Sequence, residues 1–361
     1  MNKLTLKIKL TEMFKYSSGL YEKIRGGGQR SKIITSAMIV VCTPYAAVKY
    51  GVLRTYEKII GRKIVADKLK TDMEKTYRYE TTIVCIIKNE AAYIQEWIEY
   101  HKIVCGVEKI YLYDNESTDN VREILKPYIE DGVVEYIWFP GKFKQLEAYN
   151  DALEKYKDQC RWMCFLDADE FIRTKNGVAF PEILYKITRQ KENAVGVVSH
   201  WYMYGSSHLK KKPNDLVIKS YVNRGQDDFT GNYNVKTICN PRFIKRFISP
   251  HYAICKIGAC LVDEEGTEFK GMFAQAVSHK YLVINHYFHK SIEEAQQKLN
   301  RGKADKAGKR NWKEFQVYDV NDVFDDELAQ YAECIKDSID KMNKSLKIEE
   351  ENKSENCNDN I

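Results

Sequence analysis

The sequence predicts an α/β fold: a mostly parallel sheet flanked by helices, behind a helical N-terminal extension. Three observations predict it. From Thr81 onward, short apolar runs rich in β-branched residues alternate with helical stretches, the pattern of βαβ units. Each run is continuously apolar, as in strands covered on both faces. Polar residues gather where the runs stop: Asn89 and Glu90, Asp114 and Asn115, Asp167 and Asp169.

In order, residues 1–80 read as a basic helical extension. Lys3, Lys7, Lys9 and Lys15 surround Leu4, Leu6, Ile8 and Leu10, with breaks at Gly26-Gly27-Gly28 and at Pro44. The most apolar stretch, Ile33 to Val48, stays uncharged for 16 residues. That is short of the roughly 20 that a membrane span needs, so it suits lying along a membrane surface. Thr81 to Ile87 is the first strand and Ala92 to Val104 a helix stopped by Gly106. Lys109 to Tyr113 is the second strand, and Ser117 or Thr118 is expected to cap a helix over Val121 to Tyr128. Val133 to Phe139, a helix from Gln145 to Tyr156, and Trp162 to Leu166 complete βαβαβαβ.

Open α/β sheets bind ligands outside the carboxyl ends of their strands, so the three polar clusters define one site. The last is the most telling. Asp167 and Asp169, two residues apart, lie on the same side of an extended chain, where desolvated carboxylates need a positive or donor-rich partner. Two hard oxygen donors there could hold a divalent cation that keeps positions open for a phosphate-bearing substrate. The bland alternative is a strand end followed by an acidic turn. Asp114 could instead simply cap the helix that follows it, and Asn89 and Glu90 could likewise cap the helix at Ala92. No Gly-x-Gly-x-x-Gly or P-loop lysine pattern follows any strand, which argues against dinucleotide oxidoreductases and P-loop enzymes.

Composition fits a folded enzyme with a basic appendage. The 361 residues are 44% hydrophobic and include 25 Tyr, a residue suited to sugar-binding clefts and equally to cores. The net charge of +6 is uneven, with a basic start and an acidic tail. Ten Cys without Cys-x-x-Cys or zinc spacing read as buried thiols of a reducing cytosol.

Beyond Arg173 the pattern loosens. Val195 to Trp201, Lys236 to Phe247 and Tyr281 to Ile284 read as strands. Ser291 with Glu294 forms a capping box for a helix running to about Arg301. Phe324 to Leu346 reads as a last helix. The division is 1–80 extension, 81–305 main domain, 306–346 C-terminal helical segment and 347–361 disordered tail.

Three motifs carry a resemblance: Ile83-Val-Cys-Ile-Ile-Lys-Asn-Glu90, Tyr113-Asp-Asn-Glu-Ser-Thr-Asp119 and Phe165-Leu-Asp-Ala-Asp-Glu-Phe171. They resemble nucleotide-sugar glycosyltransferases of the family 2 type and, more closely, of family 92. His286-Tyr287, Lys290-Ser291 and Arg301-Gly302 match later motifs of that branch. Tyr204-Gly-Ser-Ser-His208 resembles its Phe-Gly-Ser-Ser-Gly-His with one glycine missing. The resemblance covers residues 80 to 305.

It implies a GT-A type, Rossmann-like fold, a UDP-sugar donor, Mn²⁺ or Mg²⁺, and inversion at the anomeric carbon. By position, Asp114 and Asn115 would contact the nucleoside, Asp167 the ribose and metal, and Asp169 the metal directly. His286 would complete the metal or diphosphate site, with Lys290 and Arg301 on the diphosphate. Inversion needs a general base. His208 and His251 rank ahead of Asp215, Asp227, Asp228 and Glu268.

The expectation is a cytoplasmic enzyme acting on a glycan or lipid-linked acceptor in surface polysaccharide or lipopolysaccharide synthesis. Residues 1–60 would touch the inner face of the plasma membrane, and no nucleic acid partner is expected. A nucleotidyltransferase, or a non-catalytic nucleic-acid- or membrane-binding module, is the alternative.

Overall fold

The structure, a computed structural model, describes residues 59–271, 274, 276–301 and 311–344. The expectations for residues 1–58 and for the 347–361 tail lie outside them. After helix α1 (residues 59–73) the chain builds β1 (Tyr79–Ile87), α2 (Ile94–Ile103), β2 (Lys109–Asp114), α3 (Val121–Glu130), β3 (Val134–Trp138), α4 (Gln145–Tyr156) and β4 (Cys160–Phe165). The strands pair in parallel, with β1 between β2 and β4 and β3 outside β2. The expected βαβαβαβ unit is therefore present.

Strands β1, β2 and β4 are buried on both faces because successive side chains enter different cores, whereas β3, at the sheet edge, buries only Val134 fully. Ile83, Cys85 and Ile87 of β1 pack with Trp97 and Ile98 of α2 and Val121 and Leu125 of α3. Val84 packs on the other side with Ala148, Tyr149 and Ala152 of α4. The expected side-chain cap of α3 is absent: Asn120 is its N-cap and makes no such bond. Ser117 Oγ instead accepts the Asn89 N–H at 2.9 Å.

After β4 the chain turns into β5 (Glu170–Thr174), α5 (Phe180–Thr188), β6 (Ala194–Met203), β7 (Asn223–Arg224), β8 (Val235–Cys239), β9 (Ile244–Ser249), β10 (Tyr252–Cys255), β11 (Cys260–Val262), β12 (Glu268–Phe269) and β13 (Leu282–His286). The sheet order is β12-β11-β6-β8-β4-β1-β2-β3, and β13 joins β5 to β6. β8 runs antiparallel to both β4 and β6. The single strand expected from Lys236 to Phe247 is two, because Pro241 opens a 3₁₀ turn between β8 and β9.

The flanking segments pack onto this sheet. Asp72, at the end of α1, pairs with Arg242 at 2.9 Å and accepts from Asn240 Nδ2 at 2.7 Å. α6 (Ile292–Arg301) begins with the expected capping box: the Ser291 N–H reaches Glu294 at 3.1 Å, and the Glu294 N–H reaches Ser291 Oγ at 3.3 Å. After it come helix Trp312–Tyr318 and β14 (Val323–Phe324), then a 3₁₀ turn, Glu327–Tyr331, and a helix over residues 332–344. The single helix expected from Phe324 thus begins later. β14 pairs with β7, and Arg173 of β5 grips Asp325 through both carboxylate oxygens at 3.0 and 2.9 Å.

Gly196 sets how closely β6 approaches β8. A Cβ there would lie 2.5 Å from the Ile238 carbonyl and 2.7 Å from Cys239 Cα, both main chain that cannot swing aside. Gly196→Ala should lower the unfolding free energy by about 1–3 kcal/mol, the usual cost of overpacking, in urea denaturation. An unchanged midpoint would mean that the two strands have slack here.

Candidate active site

The turn between β4 and β5 is the centre of the site. The Glu170 N–H bonds the Asp167 carbonyl at 3.1 Å, and the Asp167 N–H bonds Glu170 Oε2 at 2.9 Å, so Asp167-Ala-Asp169 forms a closed turn at the sheet's C-terminal edge. β13 lies antiparallel to β5 with His286 opposite Glu170, and the Tyr287 N–H bonds the Asp169 carbonyl at 2.9 Å. That register brings His286 Nε2 to 3.4 Å from Asp169 Oδ1. The start of β13 is held by Glu264, a buried carboxylate accepting the N–H groups of Lys280 at 2.7 Å and Tyr281 at 3.0 Å, and that of Leu282.

Two lysines meet the carboxylates. Lys236 of β8, fully buried, places Nζ 2.8 Å from Asp167 Oδ2 and 3.0 Å from Glu170 Oε2. Lys298 of α6 donates to Asp169 Oδ2 and, at 3.1 Å, to the Phe288 carbonyl. Gln145, the first residue of α4, donates to Asp167 Oδ1 at 2.6 Å. Gln145 is itself buried. Lys236 and Lys298 were missing from the sequence-based set. A lysine inside the apolar run Val235–Cys239 is itself a signal, because a buried ammonium needs carboxylates as much as they need it. Lys298 shares a helix face with Ser291 and Glu294, a weaker cue.

Charge states follow from these contacts. Burial would raise the Asp167 carboxyl, but Lys236 outweighs it and holds the group below the ordinary carboxylate value. Asp169 is likewise driven up by burial and pulled well below its ordinary value by Lys298 and His286. Glu170 goes the other way: burial, with Asp167 and Asp169 alongside, carries it to about 8 against the pull of Lys236. Burial keeps the imidazoles neutral, His286 lowered and His251 lowered to about 4.

The cleft over this turn encloses about 470 Å³. Of the anticipated residues, Glu90, Asn115, Asp167, Asp169, His251 and His286 line it. The others do not. Asn89 has left-handed backbone geometry and accepts the Thr118 N–H at 2.7 Å, stapling the first two strand ends together. Asp114 is buried and occupied by the Ser117 N–H at 2.8 Å and the Tyr136 hydroxyl at 2.7 Å, so it shapes the turn. Lys290 stacks its ammonium 3.4 Å from the centre of the Tyr93 ring. His208 is exposed on another loop. Arg301 is the last residue of α6.

The donor set fits a divalent cation. Ligands of one ion at about 2.1 Å lie about 3 Å apart in adjacent positions, close to the Asp169–His286 separation. Metal-bound imidazoles present their second nitrogen to a carboxylate or carbonyl. His286 Nδ1 and Glu170 Oε1 are both buried, both without a hydrogen-bond partner, and 4.0 Å apart. Both Asp167 oxygens are already engaged, so Asp169 and His286 would hold the ion. No cluster of three or more His, Cys, Asp or Glu suited to a metal occurs among the described residues, leaving the remaining positions to phosphate and water.

A sequence model described as glycosyltransferase family 92 matches residues 80–316. The chain belongs to that family. A family 92 protein of Ricinus communis is 25% identical over 163 residues, 44% of this chain and 29% of its own length. One from Arabidopsis thaliana is 24% identical over 228 residues, 60% of this chain and 36% of its own. A galactan β-1,4-galactosyltransferase of Arabidopsis thaliana is 38% identical over 88 residues, 22% of this chain and 17% of its own. The matches to curated relatives thus span little more than a third of those proteins at most. Among solved structures, S. aureus TarS 1-349 with UDP-GlcNAc aligns at TM-score 0.33 and 12% identity, covering 60% of this chain and 61% of that one. A Mycobacterium tuberculosis glucosyl-3-phosphoglycerate synthase with Mn²⁺ and UDP-glucose aligns at 0.25 and 19%, covering 34% and 44%. Family membership sets aside the nucleotidyltransferase and the binding-module alternatives.

Two measurements check the charge assignment. Lys236→Met should cost about 3–5 kcal/mol at neutral pH, because the Asp167 carboxylate loses its buried cation and the protonated Glu170 its ammonium partner; a loss under 1 kcal/mol would contradict the pairing. Glu170 keeps in the folded state a proton that the unfolded chain releases near its ordinary value of 4.5. Its contribution to stability is therefore full below about 4.5 and lost as pH rises through about 8. The stability difference between wild type and Glu170→Gln should change across that window and level off outside it.

Proposed function

We propose that this family 92 chain transfers a sugar from a UDP-sugar to a hydroxyl of a glycan or glycolipid acceptor, with Mn²⁺ or Mg²⁺, by one in-line displacement that inverts the anomeric carbon. The observation that carries this reading is the convergence of Asp169 Oδ1 and His286 Nε2 on the cleft at the strand ends. Departure of a nucleoside diphosphate builds charge on its phosphate oxygens, and a bound divalent cation supplies Lewis-acid stabilisation of that charge. Asp169 and His286 would hold the cation, while Gln145 and Lys236 keep the Asp167 carboxylate fixed at the cleft wall. Asn115 shapes the nucleoside end, its amide bonding the Phe139 and Gly141 carbonyls at 3.0 and 2.7 Å.

The base we assign is His251. Its Nδ1 lies 3.1 Å from the Val235 carbonyl, which fixes the proton on that nitrogen and leaves Nε2 to accept. Burial, with Lys236 close by, keeps the ring in its neutral, proton-accepting form. Trp201, ring to ring at 5.3 Å from His251 and 4.3 Å from His286, gives the cleft an apolar wall on which a sugar face can stack.

The setting we propose is surface polysaccharide or lipopolysaccharide synthesis at the cytoplasmic side of the plasma membrane, through the basic leading segment. This rests on the sequence alone. No helix among the described residues is long and apolar enough to cross a membrane.

UDP with MnCl₂ should raise the melting temperature of the wild type, by about 2.7 kcal/mol of added stability at a hundredfold excess over Kd. Asp169→Asn should lose that gain and cut sugar transfer by at least about 10²-fold while still melting cooperatively. Undiminished transfer by Asp169→Asn, or stabilisation by UDP indifferent to metal, would sink the reading. In a separate assay, His251→Ala should lower kcat with little change in donor KM; an unaltered kcat would remove it as the base.

A further inference from the structure

Three carboxylates crowd the turn, Asp167, Asp169 and Glu170, and two ammonium groups answer them, Lys236 and Lys298. The two lysines differ in where they can reach. Lys236 has no exposed side-chain surface and is spent on Asp167 and Glu170 behind the cleft wall. Lys298 lines the cleft, keeps 17% of its side chain exposed, and meets Asp169 on the oxygen opposite the one facing His286. Asp169 is thus shared. Oδ1 looks toward the two-donor metal position, and Oδ2 toward an ammonium beside it. Lys298 is also aimed from a fixed base. α6 starts from its Ser291–Glu294 capping box, and the lysine runs back toward the helix start, as long helical side chains do, to the Phe288 carbonyl at 3.1 Å and over the Phe288 ring at 4.2 Å.

We infer that Lys298 is a diphosphate-binding residue, the protein's own cation in a two-cation clamp whose other member is the divalent ion on Asp169 and His286. The inference rests on the proposed donor chemistry and adds to it the residue that grips the leaving group. With Lys290 held on Tyr93, Lys298 takes the place that the sequence had offered to that residue. A diphosphate bridging from the metal position toward Oδ2 of Asp169 comes within reach of the ammonium. It then exchanges part of its bond to Asp169 for a charge-assisted bond to phosphate oxygen. The competing role is a plain counter-ion for Asp169 that never touches ligand.

Titration calorimetry with UDP and with UMP at saturating MnCl₂, on full-length wild type and Lys298→Gln, separates the two. The clamp predicts that Lys298→Gln weakens UDP by about 10- to 100-fold and UMP clearly less, so the preference for the second phosphate collapses. A plain counter-ion predicts unchanged UDP binding and tighter Mn²⁺ binding, because the ammonium no longer competes for Asp169; that result overturns the inference. Lys298→Arg, which keeps the charge, should retain most of the UDP preference and serves as the second variant if Lys298→Gln does not fold; an Arg variant as weak as Gln would also count against the clamp. Wild type that fails to bind UDP would overturn the donor reading itself, which is distinguishable from UDP binding that ignores residue 298.

Discussion

Everything at the strand ends depends on one buried ammonium. Lys236 stands between Asp167 and Glu170 with no exposed surface, and it keeps Asp167 ionised, with the protonated Glu170 beside it, at the edge of an apolar sheet. It reaches them because β8 runs antiparallel to β4 with Ile238 opposite Cys164, which carries Lys236 past the end of β4 to the level of the turn. Fixing Asp167 from behind lets Asp169 turn the other way, toward His286. The two aspartates thereby divide into one fixed from behind by Lys236 and one that faces His286. The family motif contains both as neighbours in sequence; the fold gives them different work.

The first half of the sheet was legible because its signals are local. Continuous apolar runs, a helix period and polar punctuation placed β1 to β4 and their helices to within a few residues, and the strand-end rule located the cleft. Asp169, His251 and His286, singled out in this way or through the motifs, line that cleft. What stayed hidden is set by pairing across distant strands. Pro241 splits what looks like one strand because its ring cannot continue a ladder. Asp114 looked like a ligand contact, yet its two oxygens are taken by the Ser117 amide and the Tyr136 hydroxyl, which no local pattern announces. Lys236 was readable in principle by the argument applied to Asp167, since a charge inside an apolar strand needs an opposite charge nearby.

The histidines show how burial selects among chemically equal candidates. His208 and His251 are the same residue type in comparably irregular stretches. The fold leaves one exposed on a loop and sets the other in the cleft, with its Nδ1 proton committed to the Val235 carbonyl. His286 is chosen by register, as the residue of β13 that faces Glu170 across the ladder. A shift of one residue in that ladder would turn its ring to the opposite face. Glu264, which collects the amides at the start of β13, keeps that register and so acts on the site from a distance.

The clamp between Arg173 and Asp325 bears on where this protein can be cut. The stretch recognisable by family likeness stops at residue 316, nine positions short of the carboxylate that Arg173 and Arg224 share. Arg173 belongs to β5, the strand that begins at Glu170 and pairs with the strand bearing His286. A version trimmed to the recognisable stretch would strand a buried guanidinium on the strand that begins at the Asp167–Glu170 turn. Expression boundaries drawn from similarity alone would therefore remove the counter-charge of a buried arginine on the strand that leads out of the turn.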